Sequence, residues 1–147
     1  MDQATSEDHV GDPSLESKIV SAVTGKEVDE KGLYEIGARV FNLQRAVLVR
    51  EGGYGRDFDY PPDICFNDPL QFDNQNPDCL MPGKDGEIIS RKGAVLDRKE
   101  FERMRDVYYA LREWDLKTGF QTRQSLEGLD LPEVADDLEK RGLLGQE

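Results

Sequence analysis

Apolar residues recur at helical spacing near both ends of this chain and lose all period in its middle. In the first stretch Leu15, Ile19, Ala22 and Val23 share one face; Asp12 with Pro13 at the first helical position would start this helix and Gly25 would end it. The second stretch is the strongest. Leu33, Ile36, Val40, Leu43 and Val47 form one stripe, and Tyr34, Phe41 and Leu48, seven residues apart, form another beside it. Asp29 can cap the helix and Gly52-Gly53 stops it. A helix apolar over so much of its circumference is expected to be mostly buried. Gly37, inside it, costs about 1 kcal/mol relative to Ala, which points to close packing of another backbone there.

From Gly53 to Leu96 the pattern disappears. Pro61, Pro62, Pro69, Pro77 and Pro82 fall in this stretch, and Tyr54 to Cys79 holds six Asp, one Arg, no Lys and no Glu. Such a composition favours turns. Tyr54, Phe58, Tyr60, Ile64, Phe66, Leu70, Phe72, Leu80 and Met81 punctuate it, so it does not read as a flexible linker. A loop beyond ~15 residues is unusual inside a compact domain, so this one is expected to wrap over, and gain order against, a larger body.

Periodicity returns at Asp97, whose spacing to Glu100 is that of a capping box. Phe101, Met104, Val107, Tyr108, Leu111 and Trp114 then line one side of a helix closed by Lys117-Thr118-Gly119. Thr122 caps a short helix through Leu126, ended by Gly128. Leu131-Pro132 opens a last helix carrying Val134, Ala135 and Leu138, stopped at Gly142. No stretch alternates as a strand would, and the expected fold class is all-α, multihelical, with a long irregular loop. Residues 1–11 read as a polar tail and 12–144 as one helical domain.

A net charge of −12 over 147 residues, with no basic stripe, weighs against nucleic acid and against anionic membrane surfaces. No apolar run approaches a membrane span, and no secretory leader is visible. Cys65 and Cys79 lie 14 positions apart, too few and too far for a disulfide scaffold or a CxxC site, which suits a reducing cytoplasmic compartment.

Candidate chemistry is sparse. His9 is the chain's one histidine and sits in the tail. The Asp-rich stretch lacks EF-hand spacing. Gly52-Gly53-Tyr54-Gly55 follows a helix, not a strand, and fits no dinucleotide fingerprint. The polar residue with most pull is Arg45, set between Phe41 at i−4 and Leu48 at i+3. A guanidinium there needs a partner: Asp57, Asp59 or a residue outside the chain. It would position an anion or, the favoured reading, form an interior salt bridge pinning the loop to the helix. Glu35 and Arg39 are spaced as an i,i+4 pair.

The run Gly37-Ala38-Arg39-Val40-Phe41-Asn42-Leu43-Gln44-Arg45, followed by Arg50-Glu51-Gly52, resembles the GERxxNLxRxxNxREG stretch of tungsten-dependent aldehyde:ferredoxin oxidoreductases. Arg56, Asp59 and Pro61 follow like that family's R-x-D-x-L-P step. Tyr108-Tyr109, Trp114-Asp115, Thr118-Gly119, Thr122, Leu126, Leu129-Asp130-Leu131, Val134-Ala135 and Leu138 follow like its closing motif, and Ala22-Val23-Thr24-Gly25 also fits. The likeness runs from about Leu15 to Leu144. Departures include Ala38 for Glu, and Glu113 and Gln121 for Gly and Pro. The long loop from Pro62 is more like the branch that contains the tungsten subunit of benzoyl-CoA reductase.

The resemblance implies the C-terminal helical domain of a larger enzyme with tungsten or molybdenum on two pterins and a [4Fe–4S] cluster, oxidising aldehydes to acids with ferredoxin as acceptor, or acting on an acyl-CoA. Neither cysteine motif that holds the cluster is in this sequence. The segment is therefore expected to bind no cofactor, to carry no catalytic residue and to be inactive alone. It would pack on the remaining domains of the parent, and the parent on ferredoxin or another electron-transfer subunit. Arg39, Asn42, Arg45, Arg50 and Asp59 are its candidate structural or interdomain residues. The alternative from another class is a stand-alone acidic helical protein-interaction module.

Overall fold

A computed structural model describes Asp12 and residues 14–146. The tail, His9 and Pro13 lie outside the described residues. The chain is all-α with one small ribbon: α1 (Leu15–Thr24), α2 (Glu30–Gly52), α3 (Ile64–Asn67), β1 (Leu80–Pro82), β2 (Ile88–Ser90), α4 (Arg98–Leu111), α5 (Arg123–Glu127) and α6 (Pro132–Lys140). No described helix is long and apolar enough to cross a membrane.

Helix starts follow local chemistry. The carboxylates of Asp29 and Asp97 accept from the backbone N–H of Gly32 and Glu100, and the Thr122 hydroxyl accepts from that of Ser125. Each satisfies a donor that the first turn leaves free. Asp12 takes the Ser14 N–H at 2.9 Å, ahead of α1. α4 ends at Leu111, earlier than its apolar pattern suggests. Glu113 adopts a positive φ of 55°, which turns the chain so that Trp114 pairs with Gln121 in an isolated bridge.

The core lies between the second half of α2 and the α5–α6 pair. Ala46 and Val49 meet Leu126, Leu131, Ala135 and Leu138, with Phe120, Leu129 and Leu144 closing the edges. This corrects the picture of α2 as mostly buried. Its inward positions are Asn42, Arg45, Ala46 and Val49. Ile36, Val40, Leu43, Val47, Tyr34, Phe41 and Leu48 are all exposed. Periodicity marks a face that can be covered, and within the described residues little packs on those two stripes. Gly37 has open space where a side chain would stand, so no backbone among the described residues approaches it. On α1 the expected face is likewise exposed at Ile19, Ala22 and Val23, while Ser17 is buried. The expected Glu35–Arg39 pair does not form: Glu35 pairs with Lys31 and Arg39 with Asp130.

The middle stretch is not a structureless loop. It holds α3 and an antiparallel ribbon in which Met81 faces Ile89. Its first part is fastened to the chain's own helices. The Arg56 N–H donates to the Thr118 carbonyl at 2.6 Å, and Tyr60, Phe66 and Phe101 form an aromatic cluster with centroids 5.1–5.9 Å apart. The remainder returns at Leu70, bonded to Ala94, and at Leu96, bonded to Cys65.

Candidate functional site

The polar centre of the molecule stands on three elements. Helix α2 supplies Asn42 and Arg45, one turn apart on its inward face. Helix α4 supplies Arg105 and Tyr109, again one turn apart. The segment after α2 supplies Asp59, carried in by the turn that begins at Gly55.

Arg45 grips Asp59 with both ends of its guanidinium: Nη1 donates to Oδ1 at 2.8 Å and Nη2 to Oδ2 at 2.5 Å. Nη2 also donates to the Gly119 carbonyl at 3.0 Å. The Tyr109 hydroxyl donates to Asp59 Oδ2 at 2.5 Å. Of the two aspartates the sequence offered, Asp59 is therefore the one Arg45 holds. Burial pushes the Asp59 carboxyl up, but the bonds from Arg45 and Tyr109 outweigh it and hold the group below the usual carboxylate range. Burial, reinforced by the bond to Asp59, raises Tyr109 well above an ordinary phenol. The cluster is thus a fixed carboxylate with a neutral phenol, not a pair poised to exchange protons near neutral pH.

A second, uncharged network lies against it. Trp114 Nε1 donates to Asn42 Oδ1 at 3.0 Å, and Gln121 Nε2 donates to the same oxygen and to the Asn42 carbonyl, both at 2.8 Å. The Arg45 guanidinium lies over the Trp114 ring at 4.9 Å. Its Nε, buried without a hydrogen-bond partner, belongs to this guanidinium and ring contact, which offsets part of its desolvation. The turn beneath tolerates nothing larger than glycine at position 119. There φ is +67°, and a Cβ would come within 2.8 Å of the Tyr109 hydroxyl and 3.0 Å of the Arg56 nitrogen.

Above the cluster α2 and α4 diverge into an open groove of about 450 Å³, walled by Phe41, Leu48, Phe101, Met104, Tyr108 and Trp114, with Arg45, Asp59, Arg105 and Tyr109 toward its base. Its size is that of a small-molecule site.

Of the residues singled out by sequence, Asn42, Arg45 and Asp59 come together here. Arg39 stands apart, bonded to Asp130 at 3.1 Å, and Arg50 is occupied by its neighbour Glu51 at 2.7 Å. Arg105 was not among them, and Tyr109 and Gln121 entered only as positions of the closing motif, not as site candidates. Arg105 carries the signal that marked Arg45, an aromatic residue at i−4, here Phe101. Gln121 offers no comparable signal, since only the folded turn brings it to Asn42.

Residues 2–131 match the family described as aldehyde ferredoxin oxidoreductase, domains 2 & 3. The chain belongs to the aldehyde ferredoxin oxidoreductase family. The match spans every residue of the arginine–aspartate–tyrosine cluster and of the groove. Helix α6, whose Ala135 and Leu138 complete the core, lies beyond its end, although the likeness read from the sequence continues to Leu144.

Enzymes of this family bind a tungsten–pterin and an iron–sulfur cluster. The donor set of this chain does not fit the cluster. A [4Fe–4S] centre is held by four thiolates, and Cys65 and Cys79 are the two cysteines present. Among the described residues no group of three or more His, Cys, Asp or Glu is placed to hold a metal ion.

Proposed function

We propose that this chain is the C-terminal helical part, residues 12–144, of an aldehyde:ferredoxin oxidoreductase-type enzyme whose tungsten or molybdenum bis-pterin and [4Fe–4S] cluster are held by other domains. The parent oxidises an aldehyde to a carboxylic acid and passes the electrons to ferredoxin, or acts on an acyl-CoA in the manner of the benzoyl-CoA reductase branch. In it this segment packs on the cofactor-bearing domains and walls the substrate cavity. The metallopterin supplies the redox chemistry. The role of this chain is to hold a rigid apolar wall, with the Arg45–Asp59–Tyr109 cluster fixing α2, α4 and the turn at Gly119 relative to one another. Free thiols at Cys65 and Cys79 suit a reducing cytoplasmic setting.

The observation that carries the reading is the outward apolar surface of α2. Seven large apolar side chains lie exposed along this one helix, in a chain that belongs to a multidomain enzyme family. Monomers rarely leave a contiguous patch of that kind uncovered. The same faces would serve an external partner if the chain were a stand-alone interaction module.

One experiment separates the two. The native gene product is produced anaerobically, then assayed for tungsten, molybdenum and iron and for aldehyde-dependent reduction of a viologen dye. Metal-loaded protein with that activity, in which α2 is protected from hydrogen exchange, supports the enzyme role. A native product of this length, free of metal and capturing a separate protein through α2, refutes it.

A further inference from the structure

Arg105 is nine-tenths buried, yet it makes no ion pair among the described residues. Its Nη1 donates to the carbonyl oxygens of Arg56 and Asp59, both at 3.0 Å. Its Nε is buried without a hydrogen-bond partner, and no bond from Nη2 is formed among the described residues. The guanidinium lies 5.1 Å from the Tyr60 ring and 5.7 Å from that of Phe101. The nearby carboxylates are taken: Asp59 by Arg45 and Tyr109, Asp106 by Arg56 at 2.6 Å. Around Asp59, two buried guanidinium charges therefore stand against one carboxylate. A buried charge left unpaired is costly, and an excess of positive charge at the base of an apolar groove is unexpected in a chain of net charge −12.

We propose that the groove between α2 and α4 binds a small apolar carboxylate, its hydrocarbon body against Leu48, Met104 and Tyr108 and its carboxylate on Arg105 Nη2. A single unpaired cation matches a monoanion. The apolar walls disfavour a strongly hydrated dianion such as a phosphate ester, and the planar guanidinium edge suits a carboxylate. Gln44, also lining the groove, offers an amide to the second oxygen. Arg105 is a binding residue in this scheme, with no part in bond making. The inference rests on the cavity-wall reading for the groove's place in the enzyme, but binding is read directly.

The test is titration of the full chain with 3-phenylpropionate and with its neutral amide, followed by calorimetry and backbone NMR. The carboxylate is expected to bind at least about tenfold more tightly than the amide, with shifts at Leu48, Met104, Arg105 and Tyr108. Arg105→Met should abolish the preference and Arg105→Lys retain part of it. Leu48→Trp, on the exposed wall, should block both ligands. Equal affinity for acid and amide, or no binding of either by the folded wild type, overturns the proposal, whether or not Arg105→Met folds. An enzyme that carries the metallopterin and oxidises aldehydes but ignores 3-phenylpropionate loses this inference alone. A metal-free product that binds it loses only the family role.

Discussion

Asp59 collects bonds from Arg45, Tyr109 and Arg105, and it explains why one arginine of α2 is buried while its neighbours are not. Arg45 could be sequestered only because a carboxylate, a carbonyl and an aromatic ring meet it; Arg39 and Arg50, lacking that set, stay at the surface. Removing the carboxylate leaves Arg45 buried and unpaired, so Asp59→Asn is expected to destabilise the fold by about 3 kcal/mol, measured by urea unfolding at pH 7. The pH profile carries a sign that can be checked. The folded Asp59 titrates below its ordinary value of 3.8. Its contribution is therefore present above about pH 4 and lost as pH falls through the depressed value. Tyr109 is raised above its ordinary 10.0, so its contribution is present below about pH 10 and lost above it. Asp59→Asn should flatten the acid limb of the stability curve and Tyr109→Phe the alkaline limb; an unchanged limb in either variant refutes the assignment.

Helix α2 has its caps, length and stop written locally, but its burial is set by what packs on it. Gly37 makes this measurable. With open space at its missing Cβ, Gly37→Ala should stabilise the isolated chain by about 0.5–1 kcal/mol through helix propensity. In the assembled enzyme the proposed interdomain packing would reverse the sign. Thermal unfolding of both forms reads the two effects. On α5 the cap is plainer: Thr122→Ala removes the acceptor for the Ser125 N–H and should cost about 1 kcal/mol, seen as a lower urea midpoint with an unchanged slope.

Across the chain as one body, stability should be graded. The segment 53–66 is held by the Asp59 cluster, by the carbonyl bonds from Arg105 and by the Tyr60–Phe66–Phe101 rings. The ribbon of β1 and β2 is exposed at every position but Ile89 and is tied back mainly near Leu70 and Leu96. Hydrogen exchange of the isolated chain should therefore protect 53–66 to nearly the level of α4, with the ribbon exchanging far faster. Equal exchange across 53–96 would show that the anchoring contacts do not hold in solution.

The existence of every helix but α3, most helix ends and the all-α class were legible in the order of residues, because caps, glycine stops and periodic apolar positions act within one or two turns. The need of Arg45 for a partner was legible too, since an arginine between Phe41 and Leu48 cannot be buried alone. Which aspartate would answer it was not, because Asp57 and Asp59 lie only two residues apart along the chain and the turn that begins at Gly55 brings Asp59 to the guanidinium. Periodicity puts Trp114 on the apolar side of a helix running to Lys117-Thr118-Gly119; α4 ends at Leu111 and the reversal at Glu113 instead aims the Trp114 indole at Asn42. The contacts of the middle stretch were hidden for the same reason: turn-forming Asp and Pro show where regular structure stops, not what the aromatics between them will touch. Periodicity picked out apolar stripes on α2 that the described residues leave exposed, while the face that meets the rest of the chain carries Asn42, Arg45, Ala46 and Val49. Burial is a property of two surfaces, and the sequence of one helix specifies only one of them.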